Sequence, residues 1–211
     1  MHRQLIAATA AFAAALTLAG VASGATPPSL SGESFSPGTA TTSDTCGASG
    51  SATITGSGTA SGPYSGTYTE TLSFDYASNA MVDGTATFTI TTLDTTVTGT
   101  EQVTGGEVFC LDDGGFTSKF GTTYSATISG PSGAFHDEGT WGGFVNSDSG
   151  FGGSFESTLP NGPTPLLPTS KSQCTNGGWQ SFGAFKNQGD CVSFVATGGK
   201  SQSPVRAPAS G

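Results

Sequence analysis

Between residues 26 and 160 the chain alternates apolar and polar side chains with a period of two, the signature of strands that bury one face. The run 67–76 shows it most fully. Tyr68, Leu72, Phe74 and Tyr76 share one face with Glu70, while Thr67, Thr69, Thr71 and Ser73 share the other. Residues 84–92 set Ala86, Phe88 and Ile90 against Thr85, Thr87, Thr89 and Thr91; 96–103 follow after a short turn at Leu93-Asp94-Thr95, which predicts a hairpin. Strands are also predicted over 52–55, 116–119, 122–129, 138–145 and 151–159, separated by breaks such as Gly62-Pro63, Gly130-Pro131 and Asp148-Ser149-Gly150. About eight strands at this spacing suit a sandwich or a barrel. The expectation for 26–159 is a Thr/Gly-rich, mainly β domain, an antiparallel β-sandwich or flattened barrel, with its register open.

The pattern changes after residue 159. Residues 160–168 hold Pro160, Pro163, Pro165 and Pro168 and read as a semi-stiff linker. Beyond it, Ser170-Lys171-Ser172-Gln173 has the capping-box form of a helix start, and Gly177-Gly178 stops that helix. Asn187 offers a second N-cap, with Asp190 in a first turn where the helix dipole favours a carboxylate. Cys191, Val192, Phe194 and Val195 then give one apolar flank before Gly198-Gly199. Residues 169–199 are therefore expected to form a small disulfide-tied helical hairpin, with Trp179, Phe182 and Phe185 packed over the bridge. Residues 200–211 read as a disordered C-terminus.

The first 25 residues belong to a different physical class. A polar start with Arg3, an apolar run over 5–21 and small residues Ala22-Ser23-Gly24-Ala25 form the three-part pattern of a cleaved secretory signal peptide. The apolar run is short for a membrane anchor, which wants about 20 residues. No Cys follows it to carry a lipid, and no second apolar span closes the chain. The expectation is a secreted, extracellular protein without a membrane anchor after cleavage.

Export changes how the remaining composition reads. The mature chain keeps four Cys, an even number in an oxidising compartment, which points to two disulfides. Four Cys allow three connectivities, and pairing within each region, Cys46 with Cys110 and Cys174 with Cys191, is the economical one. Across the full chain, fourteen Phe and the alternating β-branched residues argue for order despite the 33 Gly. Without Arg3, five basic residues face fifteen acidic ones, so the formal charge of −9 becomes 5 − 15 = −10. Nucleic acid is excluded as a partner, because phosphates need basic patches. Within 26–160, Lys119 is the only basic side chain against fourteen carboxylates; Lys171, Lys186, Lys200 and Arg206 follow against Asp190 alone.

The run Lys171-Ser172-Gln173-Cys174, then Gly177-Gly178-Trp179, Phe182 and Phe185-Lys186-Asn187-Gln188-Gly189-Asp190-Cys191-Val192-Ser193-Phe194-Val195, resembles a C-terminal module of uncharacterised secreted proteins from actinobacteria and related bacteria. About thirty residues carry this likeness. It implies export and an attached module, and it implies no activity.

Candidate chemistry is sparse. His2 leaves with the leader, so His136 is the only mature histidine; there is no Gly-x-Ser-x-Gly elbow, no His-Glu-x-x-His and no phosphate-binding Gly loop. No metal site and no cofactor are expected. His136-Asp137-Glu138 reads as a turn leading into the Trp141 strand, and Asp112-Asp113-Gly114-Gly115 as another turn. Glu70 and Glu101 stand out because each falls on the apolar face of its strand, and two inward carboxylates are the kit of a glycosidase. Trp179, Phe182 and Lys186 are the candidates for binding, with cell-wall glycan or another extracellular component as the partner. The Thr-x-Thr rows line the solvent face, where Thr is a β-favouring polar residue and an array of it can meet ice or glycan. Two expectations result: a non-catalytic binding or adhesion domain at the cell envelope or outside the cell, and alternatively a secreted carbohydrate-active enzyme using Glu70 and Glu101.

Overall fold

A computed structural model of the chain describes residues 26–42, 48–111, 115–146 and 150–200. Residues 1–25, Cys46, Asp112-Asp113-Gly114, Asp148-Ser149 and 201–211 lie outside the described residues. Eight antiparallel strands follow one another up and down: β1 (Ser34–Thr42), β2 (Ser49–Ser61), β3 (Gly66–Ala77), β4 (Ala80–Thr91), β5 (Thr96–Cys110), β6 (Phe116–Gly130), β7 (Gly133–Asn146) and β8 (Gly150–Ser157). Each pairs with the next and β8 pairs with β1, so the sheet closes on itself. Of the two architectures the alternation allows, the chain adopts the barrel.

Eight strands enclose a space that side chains can just fill. Phe155 sits at its centre, with ring centroids 5.2 Å from Phe35, 5.0 Å from Phe88, 5.0 Å from Tyr124 and 6.2 Å from Trp141. Inward glycines make room for these rings. A Cβ on Gly99 would collide with Phe88, and one on Gly143 or Gly153 would collide with the indole of Trp141. The outer wall carries rows of Thr and Ser, with Val82 of β4, Phe109 of β5 and Phe144 of β7 as exposed large apolar side chains. Among the described residues, no helix is long and apolar enough to cross a membrane.

The strands differ from their predicted outlines in instructive ways. β1 escaped the pattern because Pro37-Gly38 interrupts it, and the register shifts there between Phe35 and Thr39. Residues 116–119 and 122–129 are one strand, β6; the apparent break at Gly121 faces a bulge, where β5 shifts register between Val103 and Gly105. His136-Asp137-Glu138 lies inside β7 and not in a turn, since the alternation Phe135, Asp137, Gly139, Trp141 continues through it.

Two short segments pack on the barrel, one across an end and one on the wall. Residues 26–33 tuck Leu30 fully out of solvent, and the Tyr64 hydroxyl donates to the Pro28 carbonyl. The Pro-rich segment also packs on the wall. Thr164–Pro165 forms a two-residue strand, β9, against Phe135 and His136 of β7, with Pro163 and Pro168 buried.

Beyond it stand two 3-10 turns, Lys171–Cys174 and Gly178–Phe182, and one α-helix, α1 (Gln188–Ala196). The expected first helix is a single 3-10 turn, because Thr175 is extended directly after Cys174 and Asn176 and Gly177 then turn left-handed. Its capping box is present: the Ser170 N–H donates to Gln173 Oε1 at 3.0 Å. The Asn187 side chain caps α1, accepting from the Asp190 N–H at 3.0 Å. Cys174 is bonded to Cys191, and Cys110 is also disulfide-bonded, its expected partner Cys46 being outside the described residues.

Candidate functional site

Both carboxylates singled out by the alternation point into the barrel. Glu70 on β3 and Glu101 on β5 are each 3% exposed. They stand on either side of β4: Glu70 is opposite Phe88, and Glu101 opposite Ala86, the next inward residue of β4. The Tyr68 hydroxyl donates to Glu70 Oε2, and the Thr122 hydroxyl donates to Glu101 Oε2 at 2.8 Å. The second oxygen of each, Oε1, has no hydrogen-bond partner. Burial pushes the Glu70 carboxyl well above its ordinary range, and the neighbouring charge of Glu101 pushes it further. Burial raises Glu101 to about 7, with the Thr122 hydrogen bond pulling the other way.

A third carboxylate was concealed in the predicted turn. Asp137 is fully buried, and its Oδ2 accepts from the Leu30 N–H at 2.7 Å and the Tyr124 hydroxyl at 3.2 Å. Its Oδ1 accepts from Ser157 Oγ at 2.6 Å and from the Glu138 N–H at 3.1 Å. Glu33, also fully buried, accepts from the Tyr64 N–H at 2.7 Å, and burial raises its carboxyl. These two acids tie the N-terminal segment across the barrel end. Among the described residues every buried charged side chain is acidic: Glu33, Glu70, Glu101 and Asp137. His136 instead faces outward beside Glu138, at 3.1 Å.

For hydrolysis the inward pair has acid–base character but no access. A sugar chain would have to enter a barrel already occupied by Tyr68, Phe88, Tyr124 and Phe155. No cluster of three or more His, Cys, Asp or Glu that could hold a metal ion occurs among the described residues.

The outer wall presents a different arrangement. Pairing aligns Thr55, Thr71, Thr87, Thr100 and Ser125 in one row across β2–β6. Ser57, Thr69, Thr89, Thr98 and Thr127 form the next row, and Thr59, Thr67, Thr91, Thr96 and Ser129 a third. Strand geometry spaces such hydroxyls about 4.8 Å apart across the sheet and about 6.8 Å along it. A depression lined by Thr85, Thr87, Thr100, Gln102, Thr123 and Ser125 crosses β4–β6 on this wall. The Thr-x-Thr repeat was visible in the sequence, but its continuation through Ser125 and Thr127 depended on register.

Trp179 and Phe182 are half-buried against a separate small core of Cys174, Phe185 and Cys191, while Lys186 is exposed. Searches of protein-family models, curated proteins and solved structures find no match for this chain.

Proposed function

We propose that the protein is an exported, non-catalytic binding domain, with the hydroxyl rows of β2–β6 as its contact surface and a neutral, hydroxyl-rich polymer such as cell-envelope glycan as its partner. One observation carries this reading: three register-matched rows of Thr and Ser, each unbroken by charge across five strands. A wall that only had to stay wet would be served as well by Lys and Glu. A hydroxyl donates and accepts at once, so an ordered array of them can exchange hydrogen bonds with a polyol, and the Thr methyls add apolar contact. The absence of charged side chains within the three rows suits a neutral partner. Export rests on the leader pattern and is supported by the Cys174–Cys191 disulfide, which belongs to an oxidising compartment. The actinobacterial likeness of residues 171–195 points the same way.

The test is retention on insoluble polysaccharides, including purified peptidoglycan. Wild-type chain should be retained, and Thr87→Lys combined with Thr98→Lys should weaken retention at least tenfold while leaving the circular dichroism unchanged. Equal retention of both would overturn the assignment of this face. Loss of retention on Trp179→Ala alone would move the contact to the tail.

A further inference from the structure

We propose that Glu70 and Glu101 form a proton-sharing carboxyl dyad, a latch that keeps the barrel closed while one proton is held between them and loosens it when that proton leaves. The argument begins with hydrogen-bond supply. Each carboxylate has one oxygen served by a hydroxyl, from Tyr68 or Thr122, and one oxygen with no donor. Two orphan acceptors cannot serve each other. One proton changes that, since a protonated carboxyl donates to an ionised one and a single O–H···O bond satisfies both.

The surroundings offer no other donor or counter-charge. Leu72 and Tyr68 flank Glu70 on β3, while β4 contributes Ala86 and Phe88. β5 contributes Val97 and Gly99 beside Glu101; β6 contributes Thr122 and Tyr124, and β7 contributes Asp137, whose oxygens are occupied. Glu33 at the barrel end is acidic as well. Among the described residues no Lys, Arg or His is buried with them. Register places the two acids on either side of β4, opposite the consecutive inward residues Phe88 and Ala86, and the charge of Glu101 is felt at Glu70. With the proton gone, two like charges share a dry interior, an arrangement that carboxylate pairs avoid by holding one proton in common. β3, β4 and β5 are the strands that this repulsion would part, and they carry the hydroxyl rows.

Carboxyl carbon NMR titration of the full chain tests the latch. In the wild type, one buried Glu should titrate near neutrality and its partner well above the ordinary range. Glu70→Gln should lower the Glu101 midpoint by at least one pH unit, and Glu101→Gln should do the same for Glu70. Protease susceptibility of the wild type should rise at least tenfold from pH 6 to pH 9, and this rise should vanish in the Gln variants. Two wild-type midpoints in the ordinary carboxylate range would overturn the proposal. So would midpoints unmoved by the partner's replacement. Should a Gln variant fail to fold, the wild-type titration alone decides.

Discussion

The Tyr124 hydroxyl donates to Asp137 Oδ2 at 3.2 Å, on the same oxygen that receives the Leu30 N–H at 2.7 Å. A residue in the middle of the barrel wall and the segment that covers the barrel end are thereby held by one buried atom. Asp137 lowers the cost of its own burial by accepting four hydrogen bonds, and it raises the Tyr124 phenol above its ordinary range, after burial as the larger cause.

Removing that acceptor should release the cover. Asp137→Ala leaves Leu30 N–H, Ser157 and Tyr124 without their partner, and each hydrogen bond to a charged group contributes about 1.5–3 kcal/mol. The expected loss is about 3 kcal/mol or more by urea unfolding, with residues 26–33 losing amide protection first. Tyr124→Phe removes only one of the four donors, so it should cost about 1 kcal/mol. If Asp137→Ala is no worse than Tyr124→Phe, the acid does not organise this end.

Stability should fall with rising pH, opposite to the usual behaviour of ion-paired acids. Burial lifts the Glu101 carboxyl from 4.5 to about 7 and Glu70 well above 4.5. Between those values the folded chain binds protons that the unfolded chain does not, so ΔG of unfolding decreases as pH increases. The full contribution is present below about pH 4.5 and is lost as pH climbs through 7 and beyond. The thermal midpoint of the wild type should therefore drop between pH 5 and pH 8. The Glu70→Gln, Glu101→Gln double variant should show a shallower fall across that span, with Glu33 as the remaining raised acid, and should be the more stable protein at pH 8. A wild-type midpoint that rises over the same span would contradict the burial of these acids.

How much of this was legible depended on whether alternation ran unbroken. Residues 67–76 gave β3 nearly whole, with Glu70 on the correct face, because no Gly or Pro interrupts the period. β1 is hidden in the pattern because Pro37-Gly38 sits at its irregularity, and β6 reads as two strands because Gly121 interrupts its alternation, so the pattern gives eight strands with one missing and one doubled. Asp137 is hidden because three adjacent polar residues, His136-Asp137-Glu138, resemble a turn until Phe135 and Trp141 are placed on the same face as the middle one. Closure of the ring, through β8 and β1, is a long-range pairing that no local pattern encodes. For the same reason, the hydroxyl rows were visible as separate repeats and not as one surface.

The tail module should depend on its disulfide while the barrel does not. Cys174 and Cys191 are 17 residues apart, and closing such a loop contributes roughly 3 kcal/mol in the chain-entropy model. The core they share with Phe185 is separate from the barrel core and far smaller. Replacing both Cys174 and Cys191 with Ser should abolish amide protection over α1 and leave β2–β6 protected. Hydrogen exchange resolved by peptide checks this. Equal loss of protection in the barrel would mean that the two cores fold as one.

Docking of the module on the barrel should hinge on Gly183. This residue is left-handed, φ 62°, and a Cβ there would collide with the Ser132 carbonyl oxygen beside the β6–β7 turn. Gly133 meets the module from the other side: its own Cβ would lie 2.6 Å from the Phe182 carbonyl oxygen. Two glycines thus allow backbone to approach backbone. Gly183→Ala adds a strained conformation, which costs about 1–2 kcal/mol for an L residue, and a collision that cannot relax without separating the surfaces. Gly198 separates these causes, since it has the same φ of 62° but nothing within 4 Å of its Cβ position. Gly198→Ala should therefore cost only the strain. Gly183→Ala should in addition expose the 160–168 segment to proteolysis, with the Cys174–Cys191 bond intact and the barrel's thermal midpoint little changed. Equal protease resistance of the two variants would show that the module is not seated through this contact.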